Sequence, residues 1–216
     1  MHRTLIVMAK APVPGGVKTR LARTIGADRA ARLSEAFLRD TLATCAAVPA
    51  SETLIAFAPP AARPWFAALD AAIPLLEQPE LDLGARISAA VDAAFARGSR
   101  RVLVLGSDTP HLAASALARA LAELDGHDLV LGPAEDGGYH LVGVRERTPA
   151  LFEGIEWSTG RVLEQTLARA RELALGCALV PATFDVDEAG DLARLEALLR
   201  ASPEPACAHT RRALGL

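Results

Sequence analysis

Lys10 and Lys18 are the only two lysines of the chain; every other basic residue is arginine. Both sit on a loop rich in proline and glycine, Ala9 to Thr19, which reads AKAPVPGGVKT. An ammonium is a compact point charge that a guanidinium does not replace, so two lysines kept on one loop of an arginine-rich chain point to a site that uses them. Glycines let backbone amides turn inward, and Lys10, Lys18 and Arg20 bring positive charge. Pro14, Gly15, Gly16, Thr19 and these three basic residues are therefore candidates to hold a di- or triphosphate. The loop is not a Walker loop, which would need glycine where Pro12 and Val17 stand, although Lys18-Thr19 matches its end. The Gly-x-Gly-x-x-Gly dinucleotide fingerprint is absent from it too. The plain alternative is an exposed turn with solvated charges.

A second group is acidic. In Gly106-Ser107-Asp108-Thr109-Pro110 a carboxylate follows directly on a strongly apolar run. A carboxylate at a buried strand end is costly unless it is paired or bound to a cation, so Asp108 is a candidate ligand for Mg²⁺ or Mn²⁺, with Ser107 beside the donor. Further ligands are available in Phe184-Asp185-Val186-Asp187, where only one of Asp185 and Asp187 need face the site. Capping of the last helix is the structural alternative for Asp187. In Glu135-Asp136-Gly137-Gly138-Tyr139-His140, Gly137 and Gly138 allow close approach of a ligand, while Asp136 and Tyr139 are groups able to accept or relay a proton on the acceptor side. Asp-Gly between apolar runs is also a strong hairpin signal, and both readings can hold together.

Weaker signals surround these. Asp82-Leu83-Gly84 enters a helix and could place backbone N–H groups and Arg86 near a phosphate or sugar, with Asp82 as the helix cap. Trp157 is core or pocket wall, and Ser158 or Thr159 a cap for the next helix. The histidines His2, His111, His127 and His209 show no ligand spacing.

The elements that must position these residues alternate. Thr4 to Met8 is an unalternating apolar burst that predicts a buried parallel strand. A long amphipathic helix from Asp28 to about Val48 follows, then a strand from Thr53 to Phe57. Pro59-Pro60 breaks the chain before a short helical stretch from Arg63 to Leu69, and Ile73 to Leu76 is a weaker strand. A helix ends near Gly98. Arg101 to Leu105 is the clearest strand, delivering Asp108 at its end. A helix from Ala114 to Leu124, strands at Leu129 to Leu131 and His140 to Val144, and a helix from Arg161 to Leu173 continue the pattern. Val180 and Phe184 to Val186 read as short strand pieces, Asp191 to Arg200 as the last helix, and the chain from Pro203 onward as an irregular tail. Such alternation predicts one α/β domain over residues 1–216, a mainly parallel sheet with helices on both faces and its ligand chemistry at the carboxyl ends of the strands.

Composition excludes several alternatives. Apolar residues make up 51% of the 216-residue chain and charged residues 23%, enough to fill a core and against intrinsic disorder. A net charge of −3 lacks the broad basic field that nonspecific nucleic-acid or anionic-membrane binding needs. Cys45, Cys177 and Cys207 are an odd number without paired spacing, against a disulfide framework or a zinc site and in keeping with a reducing cytoplasm. The apolar run Leu5 to Ala9 is too short for a signal peptide or a membrane span.

Taken together, AKAPVPGGVKTRLA, DLGARI, GSDTP, GPAEDGGYHLVG, WSTGRVL and DVDEAGDL occur in that order over residues 9–192. The chain resembles the bacterial glycosyltransferase family associated with arsenosugar biosynthesis gene clusters, within the nucleotide-diphospho-sugar transferase (GT-A) superfamily. The resemblance implies a Rossmann-like three-layer αβα sandwich, a nucleotide-activated donor, a small-molecule acceptor and a divalent cation on Asp108. The N-terminal loop also looks like that of 2-phospholactate guanylyltransferase and its relatives, which bind a nucleoside triphosphate; Lys18-Thr19-Arg20-Leu21 stands in that place, and Asp185-Val186-Asp187 resembles their late Asp-x-Asp. Two departures concern the acceptor: Glu188-Ala189-Gly190 follows Asp187 where Thr-Pro-Glu is more usual, and His140 replaces an aromatic or apolar residue. In either reaction a pyrophosphate-bearing group departs, and the cation with Lys10, Lys18 and Arg20 would stabilise it. Sugar transfer needs an acceptor hydroxyl and a base, for which Asp136 is a candidate. Nucleotidyl transfer needs an acceptor phosphate or phosphonate and no base. A catalytically inactive nucleotide-binding protein and a hydrolase are the remaining alternatives.

Overall fold

Runs of Val, Leu and Ile without polar alternation become strands buried on both faces. The computed structural model describes residues 2–202 and 206–216 and folds them around one seven-stranded sheet of order β3-β2-β1-β4-β6-β5-β7. The strands are β1 (Arg3–Lys10), β2 (Glu52–Ala58), β3 (Leu75–Glu77), β4 (Arg101–Leu105), β5 (Leu129–Pro133), β6 (Tyr139–Val144) and β7 (Cys177–Leu179). All run parallel except β6, which pairs antiparallel with both β4 and β5. The link from β5 to β6 is too short for a crossover, so it closes as a hairpin and reverses the strand.

The period-two alternation of β1 divides the core. Leu5 and Val7, with Ile55, Phe57, Leu103 and Leu105, face α2 (Ala27–Ala46), α3 (Arg63–Ala67) and α5 (Ala114–Glu123). Ile6, with Leu54, Val102, Val104 and Val142, faces α4 (Leu83–Ala96) and α6 (Val162–Glu172). These two apolar layers make the αβα sandwich. A third cluster joins α1 (Thr19–Ile25) to α2 and α7 (Ala189–Ala201) through Leu21, Phe37, Val186 and Leu195. It carries the N-terminal loop and the late acidic segment to the same end of the sheet.

Three differences from the sequence-based expectation have local causes. Residues 19–25 form a helix of their own, because Gly26 at φ 86° separates them from α2; seven residues are too few for a readable helical period. Phe184–Val186 is extended but not in the ladder. Its neighbour Thr183 makes one isolated bridge with Ala134, and Val186 N–H donates to the Asp108 carbonyl at 2.9 Å. The sheet position falls instead to Cys177–Leu179, beside β5.

The tail is the third. Pro203 itself lies outside the described residues, but Ala208–Leu214 is a helix, α8, and not irregular chain. Its first N–H groups have no local cap. They are met by Asp40, buried in the middle of α2, whose carboxylate oxygens accept from His209 N at 3.0 Å and Thr210 N at 2.8 Å. A cap supplied from 170 residues away leaves no local signal. Asp40→Ala is expected to cost about 1–3 kcal/mol, the penalty for leaving buried donors unmet. Chemical denaturation would measure the loss, and hydrogen exchange should show protection falling in 208–214 before the sheet.

Among the described residues no helix is long and apolar enough to cross a membrane.

Candidate functional site

The carboxyl ends of β1, β3 and β4 open onto a cleft of about 730 Å³. Because β6 is antiparallel, its first residues, Tyr139 and His140, arrive at that same rim, with Leu141 paired to Leu105 at the end of β4. The reversed strand therefore adds chemistry that a parallel strand would have placed at the far end. A volume of this size suits a nucleotide-sized ligand.

At its centre stands a three-residue charge cluster. Lys18 Nζ lies 2.6 Å from Asp108 Oδ1 and 2.8 Å from Asp187 Oδ1. The lysine side chain is only 4% exposed, whereas those of Asp108 and Asp187 are 45% and 39% exposed. Burial alone would pull the Lys18 pKa down, but the attraction of the two carboxylates outweighs it and holds the ammonium above its usual range. Lys18 reaches this position from a left-handed backbone, φ 47°, just before α1. Behind the pair, Asp185 also lines the cleft. Burial, and then the nearby Asp108, Asp136 and Asp187, push its carboxyl up to about 7. Residues two apart in an extended segment share a face, so Asp185 and Asp187 both point to the cleft while Val186 fills the third core cluster. The expectation that only one need do so is corrected on that ground.

This donor set fits a hard divalent cation. Two carboxylate oxygens converge on one positive charge, all donors are oxygen, and magnesium is commonly held by one or two carboxylates completed by substrate phosphates. Among the described residues no group of three or more histidine, cysteine, aspartate or glutamate side chains is arranged to hold a metal ion.

The other residues singled out from the sequence divide. Lys10, Gly16, Thr19, Arg86, Ser107, Tyr139 and Trp157 line the cleft. Pro14 and Gly15 are exposed on the outer turn of the loop and do not line it. Arg20 does not either. It projects from α1 into a neighbouring groove with Arg23 and Thr24, 3.9 Å from Glu188, because consecutive helical residues point about 100° apart. Asp136, Gly137 and Gly138 form the β5–β6 hairpin turn beside the cleft, with Asp136 Oδ1 accepting from Gly138 N at 2.9 Å. The close approach that Gly137 permits is to the chain itself. At φ +86°, a Cβ there would stand 2.1 Å from the Gly160 carbonyl oxygen. Gly137 O in turn accepts from Leu163 N at 2.9 Å, so the turn is stapled to the loop entering α6.

That loop presents Trp157 and Ser158 to the cleft. Trp157 packs over Gly84, where a Cβ would meet its indole nitrogen at 2.6 Å, and edge-on to Tyr139 at 6.3 Å. The Tyr139 hydroxyl is buried with no well-formed hydrogen bond, and burial raises its pKa, which disfavours its giving up a proton. Ser158, at φ 66°, is no cap; α6 starts after Arg161 without a side-chain cap. Asp82 does cap α4, accepting from Ala85 N at 2.8 Å.

Gln78 escaped the sequence reading. Its side chain is 7% exposed at the end of β3, and its amide nitrogen donates to the Ala56 carbonyl at 2.6 Å and the Ala9 carbonyl at 3.4 Å. With both donors spent on strand carbonyls, the side-chain oxygen is what the residue offers to the cleft. One glutamine between a glutamate and a proline carries no sequence signal of such a role.

The family of bacterial proteins described as "Uncharacterized protein conserved in bacteria (DUF2064)" matches residues 41–159. The chain belongs to the DUF2064 family. This DUF2064 chain is 32% identical to a Desulfovibrio desulfuricans G20 protein assigned to the nucleotide-diphospho-sugar transferases, with a TM-score of 0.92 over 99% of this chain and 94% of that one. The fold alone is shared with the 4-diphosphocytidyl-2C-methyl-D-erythritol synthase of Anaerococcus prevotii, at 12% identity, TM-score 0.63, and 92% and 96% coverage of the two chains. A Mycobacterium tuberculosis H37Rv protein solved in complex with manganese is similar at the same level, at 14% identity, TM-score 0.57, and 94% and 100% coverage. No curated protein matches the DUF2064 chain significantly.

Proposed function

We propose that this DUF2064 protein is a metal-dependent transferase that uses a nucleotide-activated donor, moving a sugar from a nucleoside-diphosphate sugar to a small-molecule acceptor. The observation that carries the reading is the convergence of Lys18, Asp108 and Asp187 in a nucleotide-sized cleft. The likeness to the Desulfovibrio protein and the resemblance to arsenosugar-associated glycosyltransferases both support sugar as the transferred group.

In this reading the base lies toward β3, where the Gln78 side-chain oxygen can accept from a ring N–H or amino group. Lys10, Gly16 and Thr19 line the path of the phosphates, and Arg86 lies across from them. Asp108 and Asp187 would hold Mg²⁺ or Mn²⁺, which when bound supplies positive charge against the departing diphosphate. Trp157 and Tyr139 wall the acceptor side. Asp185 lines the cleft and Asp136 does not, so Asp185 is the carboxylate offered to an acceptor hydroxyl, with Asp136 keeping the turn in place.

Nucleotidyl transfer is the second reading. A buried lysine beside a late Asp-x-Asp suits a triphosphate, and the fold is shared with a 4-diphosphocytidyl-2C-methyl-D-erythritol synthase. A thermal-shift panel of the four nucleoside triphosphates and the UDP-, GDP-, ADP- and dTDP-sugars, with Mg²⁺ or Mn²⁺, separates the two. One nucleotide sugar is expected to raise the midpoint beyond its matching triphosphate, with nucleoside diphosphate released in ³¹P NMR once acceptor is present. Preference for a triphosphate and release of pyrophosphate would establish nucleotidyl transfer instead. A flat panel would sink both.

A further inference from the structure

Lys18 sits where a metal would sit. Its ammonium takes the same two carboxylate oxygens, at 2.6 and 2.8 Å, that the transferase reading assigns to a divalent cation. The position is a built one. The side chain is 4% exposed, its Nζ lies over the Phe37 ring at 5.9 Å from the ring centre, and the residue holds a left-handed backbone conformation that is strained for a non-glycine. A dication on those oxygens at roughly 2.0–2.1 Å would stand close to the ammonium and repel it, so the two positive charges compete for the same carboxylates.

We propose that Lys18 is an internal counter-ion that competes with the divalent cation for Asp108 and Asp187, and that the two exchange when the site is loaded. A donor's phosphates give the displaced ammonium a new anionic partner, whereas without donor it must leave the carboxylates for water. Metal and donor therefore bind with positive coupling, each favouring the other, and the metal alone binds weakly. A doubly charged ion gains more from the two carboxylates than a singly charged ammonium does at the same distance. The proposal rests on the transferase reading for the kind of metal and donor, but its test uses Mn²⁺ alone.

Free Mn²⁺ is counted by electron paramagnetic resonance in titrations of the wild-type protein and of Lys18→Met, without nucleotide. The variant is expected to bind Mn²⁺ about 10-fold or more tightly, within the usual range of site coupling. Equal affinity in a folded Lys18→Met would overturn the proposal, as would no Mn²⁺ uptake by either protein. A second measurement needs no variant. With Lys10 exposed as the internal reference and no other lysine in the chain, an amine-reactive reagent read by mass spectrometry reports Lys18 alone. Lys18 labelling should be slow in the apoprotein and rise about 10-fold at Mn²⁺ concentrations that fill the site. Continued protection of Lys18 in the Mn²⁺-filled protein would exclude exchange. A protein that exchanges lysine for Mn²⁺ yet transfers no group from any donor would sink the functional reading and leave this one standing.

Discussion

Asp108→Asn is expected to lower kcat/KM by at least about 10²–10³-fold, the scale on which loss of one charge-stabilising group acts on a transition state. Asparagine keeps the shape and one carbonyl oxygen but removes the charge that would hold the cation and that now faces Lys18 at 2.6 Å. The loss should fall on catalysis and not on folding. The side chain is 45% exposed on a loop at the cleft, and the segment's structural tie is the backbone bond from Val186 N to Asp108 O, which the variant retains. Turnover of the donor found in the thermal-shift panel, beside a circular-dichroism spectrum of wild-type shape, checks both halves. Activity within tenfold of wild type in a protein of normal stability would move the reaction centre away from Asp108.

Gly137→Ala should act through the fold. A Cβ at this position would stand 2.1 Å from Gly160 O and under 3 Å from two further backbone atoms of Gly160, none of which is the end of a flexible side chain. Alanine at φ +86° adds backbone strain of about 1–3 kcal/mol, and parting the two loops adds overpacking of about 1–3 kcal/mol. A loss of roughly 2–6 kcal/mol is expected, a drop of about 4–24 °C in Tm for a chain of this length. The loop it displaces carries Trp157 and Ser158, so KM for the acceptor should rise more than the donor's Kd. Gly138→Ala is the control. A Cβ there meets only the Asp136 carboxylate at 3.2 Å, so its effect should be small. Equal effects at the two glycines would refute the contact between the hairpin turn and the α6 entry loop as the cause.

Much of this architecture is legible in single residues. The run Arg101 to Leu105 announces a strand buried on both faces, and a carboxylate three residues past its end can only stand at the rim of the sheet. The two lysines mark the loop at that rim by their chemistry, and Asp136-Gly137 marks a turn. Such signals are local: residue type, period and turn chemistry act within a few positions of one another. What they leave open is which partner each group meets. Gly137 reads as room for a ligand, whereas the space it spares is filled by Gly160. Tyr139 reads as a group able to relay a proton, but its hydroxyl is buried with no well-formed hydrogen bond. Arg20 reads as a phosphate contact, and the turn of α1 carries it outside the cleft.

The αβα class, the rim of the sheet that carries the cleft, and the acidic and basic residues found there are readable from sequence, because strand burial and charge type are properties of short segments. The packed chain alone sets Lys18 between Asp108 and Asp187, brings Asp185 and Gln78 into the same cleft lining, and puts Asp40 at the start of the last helix. Those contacts join residues as many as 170 positions apart. They follow from how three apolar clusters bring helices and loops together around the sheet, which no local pattern encodes.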